Sequence, residues 1–366
     1  MASNTLRERE CWVALSALPG IGARRFYMLL DHFGTAQAAW NASDQDWDGV
    51  AGLSRNGWLR TLLARRKSQP EDLLKGISRG SIQALTLFDE NYPSLLRNVP
   101  DPPPVLYVRG KLLPEDQKAI AIVGTRNASA YGAKVCAQLS RELVQRGITV
   151  VSGLARGIDG IAHRQALESG GRTIAVLASG VDIIYPPEHY RLAEQIVERG
   201  ALVSEYPPGK PPEPGQFPAR NRIISGLTTG VIVVEAAEKS GALITADQAL
   251  EQGREVFAVP GPITQRQSAG PHRLIQQGAK LIVSIDDVLN EVPEQLSLPI
   301  GDMDEGRTPM TSPEERIFFQ LDWEPKSVDQ LVEQTGLTGS EVASVLTLLE
   351  LKGMAKAVPG GRFVAV

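Results

Sequence analysis

Apolar positions along this chain fall into three rhythms, and each predicts a different kind of structure. From about Thr5 to Gly80 they return at helical spacing, through Trp12, Leu15 and Leu18, then Leu29, Leu30 and Phe33. From there to about Asn290, short β-branched runs alternate with helix-length amphipathic stretches. The pattern predicts strands at Ala119–Val123, Thr149–Val151, Thr173–Leu177, Ala201–Val203, Val231–Val234, Glu255–Ala258 and Lys280–Val283. Helices are predicted between most of them, for example Ala133–Gln145 and Gly241–Glu251. Leu85–Tyr107 precedes this block, with Pro100–Pro104 as a stiff lead-in. Residues 291–312 are acidic and rich in Pro, Gly and Ser, as expected of a flexible linker. Three helices follow, Pro313–Leu321, Ser327–Thr335 and Ser340–Lys352, and Met354–Val366 reads as a hairpin turning at Pro359-Gly360-Gly361.

These rhythms predict an α/β protein. Its centre is an extended Rossmann-like, doubly wound parallel sheet covered on both faces, over residues 81–290. A helical domain of SAM or helix-hairpin-helix type precedes it over residues 1–80. The linker 291–312 and a winged-helix domain over 313–366 follow. The first domain contains Leu18-Pro19-Gly20-Ile21-Gly22-Ala23-Arg24. That segment is either a helix-hairpin-helix turn presenting backbone N–H groups to phosphate or a plain turn within a helical bundle.

Charge changes the picture when it is divided along the chain. The total is −4, but residues 291–366 carry six basic and 13 acidic side chains, leaving 32 basic and 29 acidic before them. The body is therefore mildly basic, and any nucleic-acid site on it is a focused pocket rather than a broad positive face. The would-be recognition helix Ser340–Glu350 has no Lys or Arg and carries Glu341 and Glu350. A helix reading a DNA groove faces dense phosphate charge, so a protein-contact or regulatory role is expected for this domain. Met1 to Glu10 is polar and charged, and no apolar run approaches the ~20 residues that span a bilayer. With only Cys11 and Cys136 and four scattered histidines, neither a disulfide scaffold nor a zinc site is expected. The expected setting is the cytoplasm, with no metal and no cofactor.

The candidate chemistry gathers at strand ends. Gly124-Thr125-Arg126 follows one predicted strand, and Ser152-Gly153 with Arg156 follows the next. Glu235 ends another, with Ser240-Gly241 shortly after it and Val259-Pro260-Gly261 following a further one. In doubly wound sheets ligands bind beyond such ends, near helix N-termini. The richest stretch is Phe217-Pro218-Ala219-Arg220-Asn221-Arg222. Arginine forks phosphate oxygens, and an exposed ring stacks on an unpaired base, so the pairing suits a flexible, charged, base-bearing strand. No G-x-G-x-x-G follows the first strand and no Walker A sequence is present, which removes the main support for a dinucleotide cofactor or an ATP-driven motor.

Each of these residues has a plainer alternative. Arg126 reaches a phosphate or pairs with a carboxylate at a helix start. Arg220 and Arg222 contact the strand or brace a loop through backbone carbonyls. Asn221 contacts it or caps a helix Arg222–Gly226. Phe217 is exposed or a core ring. Arg156 neutralises a phosphate or is the partner of Asp159. Asp159 and His163, four apart, form an acid/base pair or make structural bonds, with Asp159 placed as an N-cap. Glu235 holds Arg222 or another cation, and Tyr185-Pro186-Pro187 reads as a turn.

Taken in order, these motifs resemble the DprA/Smf family of bacterial DNA-processing proteins over roughly residues 85–290. The resemblance implies that Gly124-Thr125-Arg126 and Phe217–Arg222 form a single-stranded DNA pocket. Glu213-Pro214-Gly215-Gln216 lacks the lysine that some members carry there. The resemblance further implies a non-catalytic protein that protects single strands, hands them to the RecA recombinase in recombination and natural transformation, and forms a homodimer through the Rossmann-like domain. The residues expected at the DNA are Gly124, Thr125, Arg126, Ser152, Gly153, Arg156, Phe217, Arg220, Asn221, Arg222, Ser240 and Gly241. A rival resemblance is to nucleotide phosphoribohydrolases of the "lonely guy"/lysine-decarboxylase-like group, marked by Pro-Gly-Gly-x-Gly-Thr-x-x-Glu. At the matching place, Ser240–Gln248, Thr245 is kept but Gln248 replaces the glutamate, and an amide cannot act as that carboxylate.

Overall fold

A computed structural model describes residues 2–50, 55–70, 74, 77, 81–292, 312–318, 320–321, 326–351, 355–358 and 362–365. The chain forms two compact units, 1–296 and 297–366.

Nine strands form the sheet of the first unit: β1 (Ile82–Thr86), β2 (Val105–Gly110), β3 (Ala119–Val123), β4 (Thr149–Ser152), β5 (Thr173–Val176), β6 (Ala201–Ser204), β7 (Gly230–Val233), β8 (Glu255–Ala258) and β9 (Lys280–Leu281). Their spatial order is β1-β2-β6-β5-β4-β3-β7-β8-β9. The seven strands from β6 to β9 are parallel, as their buried β-branched runs predict. Side chains alternate between two cores: Ala121, Val123, Val231 and Val233 point to one face, Ile120, Ile122, Ile232 and Val234 to the other. β1 and β2 were not predicted. They extend the sheet antiparallel, with Ile82 opposite Arg109 and Tyr107 opposite Ser204. The proline run between them masks them in the sequence, because proline supplies no ladder N–H.

The helices begin where capping residues allow. Ser129 accepts from Gly132 N at the start of Ala130–Gln145, whose buried Cys136, Leu139, Ser140 and Leu143 lie on one face. Ser240 does the same for Gly241–Glu251. The N-terminal helices Ala2–Ala17, Ala23–Phe33 and Arg55–Lys67 pack on the antiparallel end of the sheet. Trp12, Trp47 and Trp58 share their core with Ile82, Val105 and Tyr107. Carbonyls of the proline run are satisfied by side chains: Trp12 Nε1 donates to Pro104 O (2.6 Å), Tyr27 Oη to Pro102 O (3.0 Å) and Tyr92 Oη to Pro103 O (2.8 Å). The predicted glycine turn does join two helices, with Gly20 at φ 87° and Gly22 preceding the second helix. No helix among the described residues is long and apolar enough to cross a membrane.

The second unit has helices Ser312–Phe318, Val328–Thr335 and Gly339–Leu351, and strands β10 (Lys326–Ser327), β11 (Ala355–Val358) and β12 (Arg362–Ala365) in the order β10-β12-β11. This is the winged-helix pattern, closed around Ile317, Leu331, Val342, Leu346 and Leu349. The linker beyond residue 292 and the turn Pro359-Gly360-Gly361 lie outside the described residues.

Candidate functional site

The order of the parallel strands reverses direction between β3 and β7, since β4, β5 and β6 lie on one side of β3 and β7, β8 and β9 on the other. Loops leaving the carboxyl ends of β3 and β7 diverge there and open a crevice. The structure holds a cleft of about 690 Å³ at this point. Gly124, Thr125 and Arg126 form one wall, Phe217, Arg220 and Asn221 a second, and Ala237, Ser240 and Gly241 a third. A narrow extension brings in Gly153, Arg156 and Tyr185. All the expected residues except Ser152 and Arg222 line these spaces.

An exposed cation and two rings converge in the cleft from two loops and the start of a helix. Arg126 is exposed, and its guanidinium carbon lies 5.6 Å from the centroid of the Phe217 ring. Phe217 is half-buried in the first turn of the helix Gln216–Gly226. Its ring meets Tyr185 edge to face, centroids 5.8 Å apart. Tyr185 is 43% exposed, on the loop after β5. It is an aromatic wall residue missed in the sequence, where Tyr-Pro-Pro signalled only a turn.

The other arginines behave differently. Arg220 is 5% exposed, and its Nη1 donates to Gly153 O (2.6 Å) and to Val176 O, tying the helix to the ends of β4 and β5. Burial lowers its pKa to about 10, opposed by the charge of Asp159. Burial raises the Asp159 carboxyl, and Arg220 is the main opposing influence. The guanidinium is thus a brace in the floor of the cleft. Gly153 is glycine for this reason: a Cβ there would lie 2.6 Å from Arg220 Nη1. It admits a guanidinium rather than an external anion.

Arg222 corrects the expectation that it shares a ledge with Arg126. It points off the opposite side of the helix, where Nη2 pairs with Glu205 at 2.5 Å, both side chains largely buried. Ser152 is fully buried and donates to Ile122 O at 2.6 Å. Asn221 caps nothing, because the helix already starts at Gln216; its Nδ2 donates to Gly241 O (3.1 Å), holding the second and third walls together. Arg156 pairs with Glu188 on the surface, not with Asp159.

Asp159 and His163 do not act as a pair. Gly157, not Asp159, is the N-cap of Ile158–Glu168; Asp159 accepts from Ala155 N (3.3 Å), while His163 Nδ1 meets Thr173 Oγ1 at 2.7 Å. Burial depresses the His163 pKa to about 3, so the ring is neutral in the folded protein. Glu235 holds no arginine: its carboxylate accepts from Ser129 N and Oγ. Gln248 donates to Pro218 O (3.3 Å), bracing the helix that carries Phe217.

Fold and cleft together define a Rossmann-like α/β protein with a cation-and-aromatic crevice at its switch point, joined to a winged-helix unit. Residues 83–293 match the DNA recombination-mediator protein A family, and residues 304–361 the DprA winged helix domain. The chain belongs to the DNA recombination-mediator protein A (DprA/Smf) family. It is 37% identical to Protein Smf of Synechocystis sp., covering 97% of this chain and 98% of the relative. It is 49% identical to DNA processing protein DprA of Bacillus subtilis, over 58% of this chain and 72% of the relative. The crystal structure of DprA from Streptococcus pneumoniae is 36% identical, with a TM-score of 0.67 over 78% of this chain and 98% of that one. DNA processing protein A from Helicobacter pylori, whose structure addresses its single-stranded DNA binding mode, is 33% identical, with a TM-score of 0.52 over 57% of this chain and 94% of that one.

Proposed function

We propose that this chain binds single-stranded DNA in the switch-point cleft, protects the strand and promotes RecA loading, without catalysing a reaction on it. One observation carries the reading: Arg126 stands exposed beside the Phe217 and Tyr185 rings, in a cleft floored by backbone and a buried arginine. A phosphate at Arg126 leaves its base within reach of Tyr185 or Phe217. Gly124, Thr125, Ser240 and Gly241 offer backbone and hydroxyl groups to neighbouring phosphates. Direct contact is proposed for these residues with Arg126, Arg156 and Phe217, while Gly153, Arg220 and Asn221 act from beneath and Ser152 and Arg222 as structural supports. The Helicobacter relative's single-stranded DNA binding supports the same reading. Loading of RecA and pairing of two sheet domains into a homodimer are proposed on the family resemblance. A dimer joins two clefts on one strand and raises affinity through effective concentration. The helical residues 1–80, the sheet residues 81–290 and the winged-helix residues 313–366 are proposed as functional domains, the last a protein-contact module.

The test is Arg126→Ala, titrated with single-stranded oligonucleotides at several salt concentrations. Binding weakens on every sequence alike, and the log–log salt slope falls by about 0.7, the value for one lost phosphate contact on a single strand. An unchanged slope, or loss confined to some sequences, refutes the assignment.

A further inference from the structure

Nucleotides in doubly wound folds place their phosphates at the N-terminus of the helix following the first strand of the switch point. Here that helix is Ala130–Gln145, and this chain's own carboxylate is already there. Glu235, at the end of β7, is 2% exposed. Its Oε2 accepts from Ser129 N at 2.9 Å and its Oε1 from Ser129 Oγ at 2.5 Å. Ser129 Oγ in turn accepts from Gly132 N at 3.0 Å. The carboxylate lies so close against the helix that a Cβ on Gly132 would sit 2.2 Å from Oε2. The Glu235 carbonyl accepts from Thr125 N at 2.7 Å, so the same residue also fixes the loop that carries Arg126.

We infer that Glu235 is a built-in anion that fills the phosphate seat of the helix Ala130–Gln145 and keeps free nucleotides from binding there. Its partners are the backbone N–H and the hydroxyl of the cap residue Ser129, and its carboxylate packs against Gly132 in the first turn, which together occupy the place a pyrophosphate would otherwise take. A free nucleotide has few phosphates and depends on such a seat. A strand contributes many phosphates and bases, so it can bind at Arg126 and the rings without it. The consequence, a strand site that millimolar nucleotides do not block, rests on the strand-binding reading; the filled seat does not.

The test therefore begins where strand binding plays no part. The full chain carrying Arg126→Ala is compared with the same chain carrying Glu235→Ala as well, with inorganic pyrophosphate as probe at matched ionic strength and Tm as readout. Pyrophosphate at about 10 mM leaves the first protein's Tm unchanged and raises the second's by about 2 °C or more. A rise in the first protein, or no rise in a folded second one, overturns the inference. Glu235→Ser, which also removes the carboxylate but leaves a small polar side chain, replaces alanine if alanine prevents folding. In the second arm Arg126 is restored and ATP at about 10 mM competes against a labelled oligonucleotide. ATP leaves wild-type binding within about twofold and weakens Glu235→Ala binding by about tenfold. Equal competition in both refutes the exclusion role. Failure of the wild type to bind the oligonucleotide at all refutes the strand reading and leaves the pyrophosphate result standing.

Discussion

Replacing Arg220 by methionine distinguishes a brace from a contact. The side chain is 5% exposed and serves two buried carbonyls, Gly153 O and Val176 O. Methionine fills similar space, so the main loss is hydrogen bonding. Two orphaned buried acceptors cost about 2 kcal/mol each, or about 4 kcal/mol together. For the compact unit 1–296 the entropy of unfolding is about 0.6 kcal/mol/K, so Tm falls by about 6 °C. Arg126→Ala, at an exposed site, changes stability by less than about 0.5 kcal/mol and Tm by less than about 1 °C.

The Arg220→Met deficit also depends on pH. Burial raises the folded-state pKa of Asp159, and Arg220 opposes that rise. Without Arg220 it climbs further above the unfolded value of about 3.9. A group whose folded pKa is raised carries stability in acid that is lost as pH rises. The deficit is therefore smallest near pH 4 and grows toward neutrality. Calorimetry across pH, beside oligonucleotide titration well below Tm, reads both effects. A variant as stable as the parent but with a reduced salt slope would make Arg220 a phosphate contact and refute the reasoning.

Other outcomes follow from the same geometry. Arg222→Met leaves Glu205 buried without its partner and costs about 3 kcal/mol in urea denaturation, while adding Glu205→Met restores most of it, with strand affinity unchanged throughout. Tyr185→Ala weakens strand binding by about 1–3 kcal/mol, and makes it less sensitive to abasic positions in the oligonucleotide, because a stacking platform is lost. Deleting residues 311–366 leaves the single-strand affinity of the first unit nearly intact by band shift; a large loss would place strand contacts in the winged-helix unit.

Much of this was legible in the sequence where burial is two-sided. Runs such as Ala119–Val123 read as strands because a short, β-branched stretch that is apolar at every position suits a strand covered on both faces better than a helix of that length. β1 and β2 escaped because their pairing is antiparallel and the residues between them are dominated by prolines and a short helix. The motif stretch was legible as a site, but its geometry depended on one boundary. With the helix starting at Gln216, residues 220 and 222 stand about 200° apart around its axis, so their guanidiniums diverge. The charge of Glu235 was visible, but its partner was a helix cap 106 residues away, and no local pattern announces that.

The placement of the tryptophans sets what light can report from this protein. Trp12, Trp40, Trp47 and Trp58 all belong to the helical layer, the fifth is Trp323, and the chain from Ile82 to Asn290 has none. Intrinsic emission excited in the indole band therefore follows loosening of the layer over β1 and β2 and is nearly blind to events between β3 and β7. Occupancy of the crevice calls for a dye on the oligonucleotide or an indole introduced at position 185, while the native fluorophores independently monitor whether the layer stays docked.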